Sequence, residues 1–195
     1  MFSPSAARNR AALLAVLRTV LPEAGQVLEI ASGSGEHVCH FAAGMPGLRF
    51  QPSDPDEGAR ASIDAWASGQ ANIRPAIGLD TTGPWPGETF DAVLCCNMVH
   101  IAPWPATIGL LAGAALALRA GGVLVTYGPY RRFGAHTADS NAAFDADLRA
   151  RDPRWGVRDV EAMTQLATEA GFAAPEIIDM PANNLCLVFR RESIA

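Results

Sequence analysis

The 195-residue chain has few cysteines, little charge and no long uninterrupted apolar run, and each shortage excludes a class of protein. The four cysteines form no CxxC pair, so their spacing fits neither a disulfide framework nor a zinc site. A net charge of -5 leaves no basic stripe to neutralise a phosphate backbone, so we expect no nucleic-acid partner. Residues 1–10 lack the apolar core of a signal peptide, and no later stretch reaches transmembrane length without charge or proline. We therefore expect a cytoplasmic protein with no membrane partner.

The composition is that of a chain able to bury a substantial core. Hydrophobic residues make up 49% of the sequence and charged residues 18%, which is not the composition of a disordered protein. The length fits one domain and leaves little room for a second. With no internal repeat, we expect a single domain over residues 1–195, with an N-terminal helix within 1–25.

Alternating strand and helix patterns predict an α/β fold. Apolar runs at 27–30, 49–52, 73–79, 90–97 and 123–127 are typical of strands, and helical spacing lies between most of them. This order favours a mostly parallel, Rossmann-like sheet with right-handed crossovers and helices on both faces. Two final runs, 176–180 and 185–190, are separated by a Pro-Ala-Asn-Asn turn and predict a C-terminal antiparallel hairpin at the sheet edge.

One segment, 128–160, differs from the rest in its prolines, aromatic residues and polar side chains. It surrounds a single short helical pattern at 141–149, and we interpret it as a lid or insertion. Ligands of open parallel sheets bind beyond the carboxyl ends of the strands, so this segment and the loops after the strands should surround one cleft.

The turn after the first strand carries the strongest ligand-binding signal. Gly33 and Gly35, following Ala31, allow the backbone to approach a ligand at the start of a helix. Asp54 stands about 20 residues further on, at the end of the second strand, where a carboxylate can accept hydrogen bonds from both ribose hydroxyls. The dinucleotide fingerprint would need a third glycine at the position of Val38, so a pyrophosphate is less favoured as the ligand.

Three further residues near this turn are assigned to the ligand. Glu29, inside the first strand, would repel a diphosphate but could pair through water with a cationic methionine group; the alternative is that it braces the loop amides. Leu79 and Asp80 end the third predicted strand, where the acid could bond an adenine amino group or simply complete a turn.

These motifs resemble those of class I S-adenosylmethionine-dependent methyltransferases, and they most resemble the methyltransferase-like 26 family. The superfamily motifs are V-L-E-I-A-S-G-S-G-E-H, the acid at Asp54, the pair Leu79-Asp80 and the strand opening Phe90-Asp91. The family strings are S-P-S-A-A-R-N-R, Q-P-S-D, N-M-V-H-I-A-P-W, Y-G-P-Y, H-T-A-D-S-N, W-G-V-R-D and P-A-N-N, in that order. The resemblance implies a seven-stranded sheet and S-adenosylmethionine as cofactor, and it implies no particular acceptor.

The acceptor side rests on fewer residues. Asn97 and His100 follow the fourth strand; we assign Asn97 to the cofactor, and His100 could be a general base or could only bond a neighbouring carbonyl. Tyr127 and Tyr130 could wall the acceptor pocket, face the sulfonium as cation–π partners, or be ordinary packing aromatics.

The remaining polar candidates lie in the N-terminal helix and the segment 128–160. Arg8 and Asn9 could cover the methionine carboxylate or face water. His136, Asp139, Ser140 and Asn141 would otherwise be interpreted as residues of a solvated loop, and only the resemblance suggests a role in the site. Asn183-Asn184 is interpreted as the hairpin turn.

The sequence thus predicts an S-adenosylmethionine-dependent methyltransferase acting on a small molecule by in-line displacement, with alignment supplying most of the acceleration. Two alternatives stay open at this point. The chain could bind S-adenosylmethionine or S-adenosylhomocysteine without catalysis and act through an interaction surface. It could also be a nicotinamide-dependent reductase, which the missing third glycine and Glu29 argue against.

Overall fold

The structure, a computed structural model, describes residues 1–192 and alternates strands with helices. The helices are α1 (Pro4–Val20), α2 (Glu36–Gly44), α3 (Glu57–Ala67), α4 (Trp104–Ala117), α5 (Asp139–Arg151) and α6 (Val160–Glu169). The strands are β1 (Gly25–Ile30), β2 (Leu48–Pro52), β3 (Phe90–Cys96), β4 (Leu118–Arg132), β5 (Ala135–His136), β6 (Arg158–Asp159), β7 (Glu176–Met180) and β8 (Asn184–Arg190). Single 3-10 turns at Met98–His100 and Pro181–Asn183 precede α4 and β8.

The main sheet has the strand order β2-β1-β3-β4-β8-β7. The pairs β1–β2, β1–β3 and β3–β4 are parallel, whereas β8 pairs antiparallel with both β4 and β7. The predicted mostly parallel α/β sheet with an antiparallel C-terminal hairpin is therefore confirmed. The carboxyl ends of β1, β2, β3 and β4 meet at one edge, and the candidate residues follow these ends.

The predicted strand at 73–79 is wrong as a regular strand. Ile73 makes an isolated parallel bridge to Phe50, and Ile77 makes another to Ser53. Pro52 of β2 has no N–H to donate to the next carbonyl of this segment, and the register shifts by one residue between the two bridges, so no continuous ladder forms. The sheet over residues 1–192 has eight strands rather than seven, because the two-residue strands β5 and β6 pair with β4 outside the main order.

Much of the segment 128–160 is more regular than its composition predicts. β4 continues to Arg132, and the predicted helix at 141–149 is the longer α5. Pro129 does not end β4, because it pairs with Asn184 at the last position of the antiparallel ladder to β8. The first part of the expected lid is thus a continuation of the central strand.

Both faces of the sheet are covered by helices. Leu110 of α4 and Met163 of α6 are fully buried against one face. Leu17 of α1, Phe41 of α2 and Ile63 of α3 are buried against the other. Burial of these side chains by the hydrophobic effect holds the strand ends, and hence the loops that follow them, at fixed spacing.

Three features of the structure concern the disulfide-bonded, metal-binding and membrane-spanning classes of protein. All four cysteines carry free thiols. Within residues 1–192, no three His, Cys, Asp or Glu side chains cluster as metal ligands would. No helix of this described part is both long and apolar enough to cross a membrane.

Candidate functional site

The turn between β1 and α2 is held open by left-handed backbone. Ala31, Gly33 and Gly35 have φ values of 53°, 58° and 92°. Position 35 also has no room for a side chain, since a Cβ there would lie 2.8 Å from the Cα of Ile63 in α3. The backbone N–H of Ser32 donates to the carbonyl of Ser53 at 2.9 Å, which ties the turn to the end of β2.

Asp54 is positioned across this turn by backbone donors. Its Oδ2 accepts from the Gly33 N–H at 3.1 Å, and its Oδ1 accepts from the Asp56 N–H at 3.0 Å. The side chain is nearly buried, and Arg60 holds the local backbone by donating to the Asp54 carbonyl at 2.9 Å. Because each carboxylate oxygen can accept more than one hydrogen bond, the fixed carboxylate can still receive ligand hydroxyls.

A first cleft of about 390 Å³ opens beside the turn, at the carboxyl ends of β1, β2 and β3. Its walls are mostly apolar, so it can hold a planar ring system. Two hydrogen bonds from Thr82 to the carboxylate of Asp80 lower the pKa of that group and keep it ionised at the rim. Four lining residues are Ala31, Leu79, Asp80 and Met98.

Glu29 lies beneath the turn as a buried acid with an unpaired oxygen. Its side chain is 2% exposed, and its Oε2 has no hydrogen-bond partner among residues 1–192. Burial raises the pKa of Glu29 to about 7; the charge of Asp54 adds to this rise, and a hydrogen bond with Ser32 opposes it. A cationic ligand group would supply the partner that this oxygen lacks.

The turn after β3 joins the first cleft to a second one. Asn97 has a φ of 63°, and its N–H donates to the Tyr127 carbonyl at 2.7 Å. Asn97 lines the second cleft, whereas the adjacent Met98 lines the first. The two clefts thus have neighbouring residues of one turn in their linings, although they share no lining residue.

The second cleft, about 480 Å³, lies between α1, the end of β4, α5 and the turn before β8. Arg8 and Asn9, predicted as cofactor contacts, lie here and not among the residues that line the first cleft. Oδ1 of Asn9 is 2.7 Å from Nε2 of His37. Burial raises the pKa of Tyr127, so its hydroxyl stays protonated.

His100 and Tyr130 lie behind this cleft rather than in it. Both are fully buried, with their ring centroids 4.8 Å apart in an edge-to-face arrangement. Nδ1 of His100 accepts from the Arg158 N–H at 3.3 Å, and burial lowers the pKa of His100 to about 3. The Tyr130 hydroxyl donates to Thr126 Oγ1 at 2.8 Å. This arrangement fits the structural alternative for both residues better than the catalytic one.

The polar candidates of 128–160 divide between two places. Ser140 and Asn141 line the second cleft, and Asn141 donates to the Asn183 carbonyl at 2.9 Å. Nε2 of His136 lies 3.5 Å from Asp145 Oδ2. Asp139 begins α5.

The turn before β8 differs from the predicted Asn183-Asn184 pair by one residue. Ala182 and Asn183, with φ values of 59° and 57°, make the positive-φ turn, and Asn184 begins β8.

Sequence reasoning missed Arg158 as a site residue. Its guanidinium donates to the carbonyls of Val99 and Ala102 at 2.8 and 2.7 Å, and it lies over the ring of Trp104. Ala102 lines the first cleft, so Arg158 holds part of that wall in place. The only sequence signal was its place in the string W-G-V-R-D, which gave no indication of a contact with the loop after β3.

Comparisons with known proteins agree with this geometry. The family model described as "Protein of unknown function (DUF938)" matches residues 1–191. The S-adenosylmethionine-dependent methyltransferase SibL is similar in structure, with a TM-score of 0.80 at 20% identity over 96% of this chain and 56% of that protein. Human N-acetylserotonin methyltransferase, solved in complex with S-adenosylmethionine, gives 0.76 at 15% identity over 94% and 55%.

An O-methyltransferase family 2 protein from Planctomyces limnophilus, solved with apigenin, gives a TM-score of 0.77 at 17% identity over 93% of this chain and 61% of that protein. The chain thus spans little more than half the length of the solved structures it matches. At these identities the similarity establishes a shared Rossmann-like α/β fold and no more.

Proposed function

The chain therefore belongs to the DUF938 family, and we propose that it is an S-adenosylmethionine-dependent methyltransferase acting on a small molecule. The observation that carries the proposal is the clamp between the Gly33 N–H and Asp54, placed beside an apolar cleft and one residue step from a second cleft. In the matching structures, S-adenosylmethionine and apigenin are bound by proteins of the same fold.

The residues of the first cleft fit the cofactor's parts by their chemistry. Leu79 and Met98 would contact the adenine and Asp80 would accept from its amino group, while Asp54, next to the lining residue Pro55, would accept from the ribose hydroxyls. The methionine end would cross the turn at Ala31, Gly33 and Gly35, beneath which the buried carboxyl of Glu29, with its unpaired oxygen, would face the ammonium group through an intervening water.

Alignment, rather than acid–base chemistry, is the main contribution of the chain to the reaction. When bound, S-adenosylmethionine would supply a methyl group on a cationic sulfur, and transfer to the acceptor would break the sulfur–carbon bond and release S-adenosylhomocysteine. The bond from Asn97 to β4 fixes the turn whose neighbouring residues line the two clefts, and the proposal requires donor and acceptor to approach each other at this turn. The acceptor's proton passes to solvent, because the His100 ring is buried away from both clefts.

The test is calorimetric titration with S-adenosylhomocysteine of wild type and of Asp54→Asn. We expect a loss of roughly tenfold to a hundredfold in affinity, since hydrogen bonds to a charged group contribute ~1.5–3 kcal/mol each. Asp56→Asn is the matched control: Asp56 caps α3 through Ala59, and asparagine caps equally well.

Wild-type protein that binds neither S-adenosylmethionine nor S-adenosylhomocysteine would refute the proposal, and a preference for NAD would favour the reductase. Binding without methyl transfer to any of a broad metabolite panel would favour the non-catalytic alternative. The resemblance to the methyltransferase-like 26 family and the cytoplasmic location stay predictions.

A further inference from the structure

The second cleft has one cation in its lining and no acid. Arg8 is the charged residue among those that line it, and its exposed guanidinium makes no hydrogen bond or ion pair with any residue of 1–192. The protein as a whole carries a net charge of -5, so its surface has acids to spare, yet none faces this arginine. An unpaired guanidinium on a concave surface favours binding of a carboxylate, with which it forms paired hydrogen bonds.

Two amide side chains that line the cleft already have partners within the protein. Asn9 bonds His37, and the amide nitrogen of Asn141 donates to the carbonyl of Asn183. These side chains line the cleft, but Arg8 is the residue that could pair with a charged group of a ligand.

The walls of the cleft suit a flat, partly apolar molecule. The rings of Tyr127 and Phe144 line it together with Pro129 and Pro181, and Phe144 is 39% exposed although it is a large aromatic residue. A cavity of about 480 Å³ with aromatic and proline walls matches the size and character of small-molecule sites. Exposed aromatic area of this kind is covered when a ring stacks against it.

From these observations we propose that the second cleft selects acceptors that carry a carboxylate on a ring, and that Arg8 reads the carboxylate. The inference rests on the proposed methyltransferase function, because only a methyl donor in the first cleft makes the second cleft an acceptor site. It assigns Arg8 to the acceptor, in place of the methionine carboxylate that the sequence suggested as its partner. Asn97, at the junction, would then face the ring position that receives the methyl group.

The experiment measures binding of matched probe pairs to the protein saturated with S-adenosylhomocysteine. The probes are 4-hydroxybenzoate and 3,4-dihydroxybenzoate, each compared with its uncharged carboxamide by ligand-observed NMR titration. We expect each acid to bind roughly tenfold more tightly than its amide, as for a charge-assisted pair at a partly exposed site. Arg8→Gln should remove that preference and leave affinity for S-adenosylhomocysteine unchanged.

Arg10→Gln is the matched control, because Arg10 lies on the same helix two residues away and does not line the cleft. It should retain the preference for the acids. The inference would be overturned if wild type bound the acids and the amides equally, or bound neither. It would also be overturned if Arg8→Gln kept the preference for the acids, whether or not this variant lost affinity for S-adenosylhomocysteine. Failure of the wild type to bind S-adenosylhomocysteine at all would instead refute the proposed function.

Discussion

Replacing Glu29 by glutamine should stabilise the ligand-free protein in a strongly pH-dependent way. Burial raises the pKa of this carboxyl from 4.5 to about 7, so the folded state holds a proton that the unfolded chain releases in that interval. When the pKa of an acid is raised in the folded state, the free energy of unfolding falls as pH rises, here from 4.5 to about 7. The fall is about 3 kcal/mol for Glu29, and it does not occur in the glutamine variant because glutamine does not ionise.

The measurement is urea-induced unfolding of wild type and Glu29→Gln at fixed pH values between 4 and 8. The variant's advantage in free energy of unfolding should grow by about 3 kcal/mol over this range and level off above pH 7. Glu57→Gln, at an exposed site in the first turn of α3, should show no such growth. A difference between Glu29→Gln and wild type that is constant with pH would refute the assignment of a buried, neutral carboxyl.

The same substitution tests the proposed ammonium contact. If the ionised carboxylate pairs with the cofactor's ammonium group, binding must deprotonate Glu29, so wild-type affinity for S-adenosylhomocysteine should rise roughly tenfold from pH 6 to pH 8. Glu29→Gln should bind more weakly at pH 8 and lack this rise. A wild-type affinity that does not change with pH would argue against the contact.

Three further predictions concern neighbouring positions. Arg158→Gln should raise the KM for S-adenosylmethionine by roughly tenfold with a smaller effect on kcat, because the wall at Ala102 loses its guanidinium donor. Arg158→Lys should restore the KM only in part. Unchanged initial rates in Arg158→Gln would contradict the role of Arg158 in holding this wall. Gly35→Ala should cost about 2 kcal/mol or more in urea unfolding, since φ is 92° and the new Cβ would meet Ile63; an unchanged midpoint would contradict the packing argument. Burial lowers the pKa of His100 to about 3, so the stability it contributes is present above pH 6.5 and is lost as pH falls. The free energy of unfolding of His100→Gln should therefore rise by about 3 kcal/mol relative to that of wild type between pH 6.5 and pH 4. Parallel pH profiles of the two proteins would refute this prediction.

The sheet could be predicted from the sequence where apolar patterns and turn residues agree. The glycine turn and Asp54 are adjacent because parallel strands bring their carboxyl ends together, a rule that needs no coordinates. The prediction of a strand at 73–79 failed because its apolar pattern took no account of the missing N–H of Pro52 on the strand it would pair with.

Side-chain direction was the main limit at the candidate site. His100 follows a strand end, as expected of a catalytic group, but a 3-10 turn rotates its ring inward against Gly128 and Tyr130. Arg158 could not be predicted, because its partners are backbone carbonyls more than fifty residues away in the chain, and carbonyls carry no sequence signature. Contacts of this kind depend on tertiary packing, which local patterns do not contain.

Under the proposed function, the length of β4 limits how the acceptor preference of this fold could change. One strand supplies both the centre of the sheet and a wall of the second cleft, at Tyr127, the last residue paired with β3, and at Pro129, which is paired only with β8. A mutation that bends this wall would also disturb the ladder to β8, and so would be removed by selection for stability. Variation in acceptor preference should therefore accumulate on the surrounding helices, at positions such as Arg8 and Phe144, where a side chain can change without cost to the sheet.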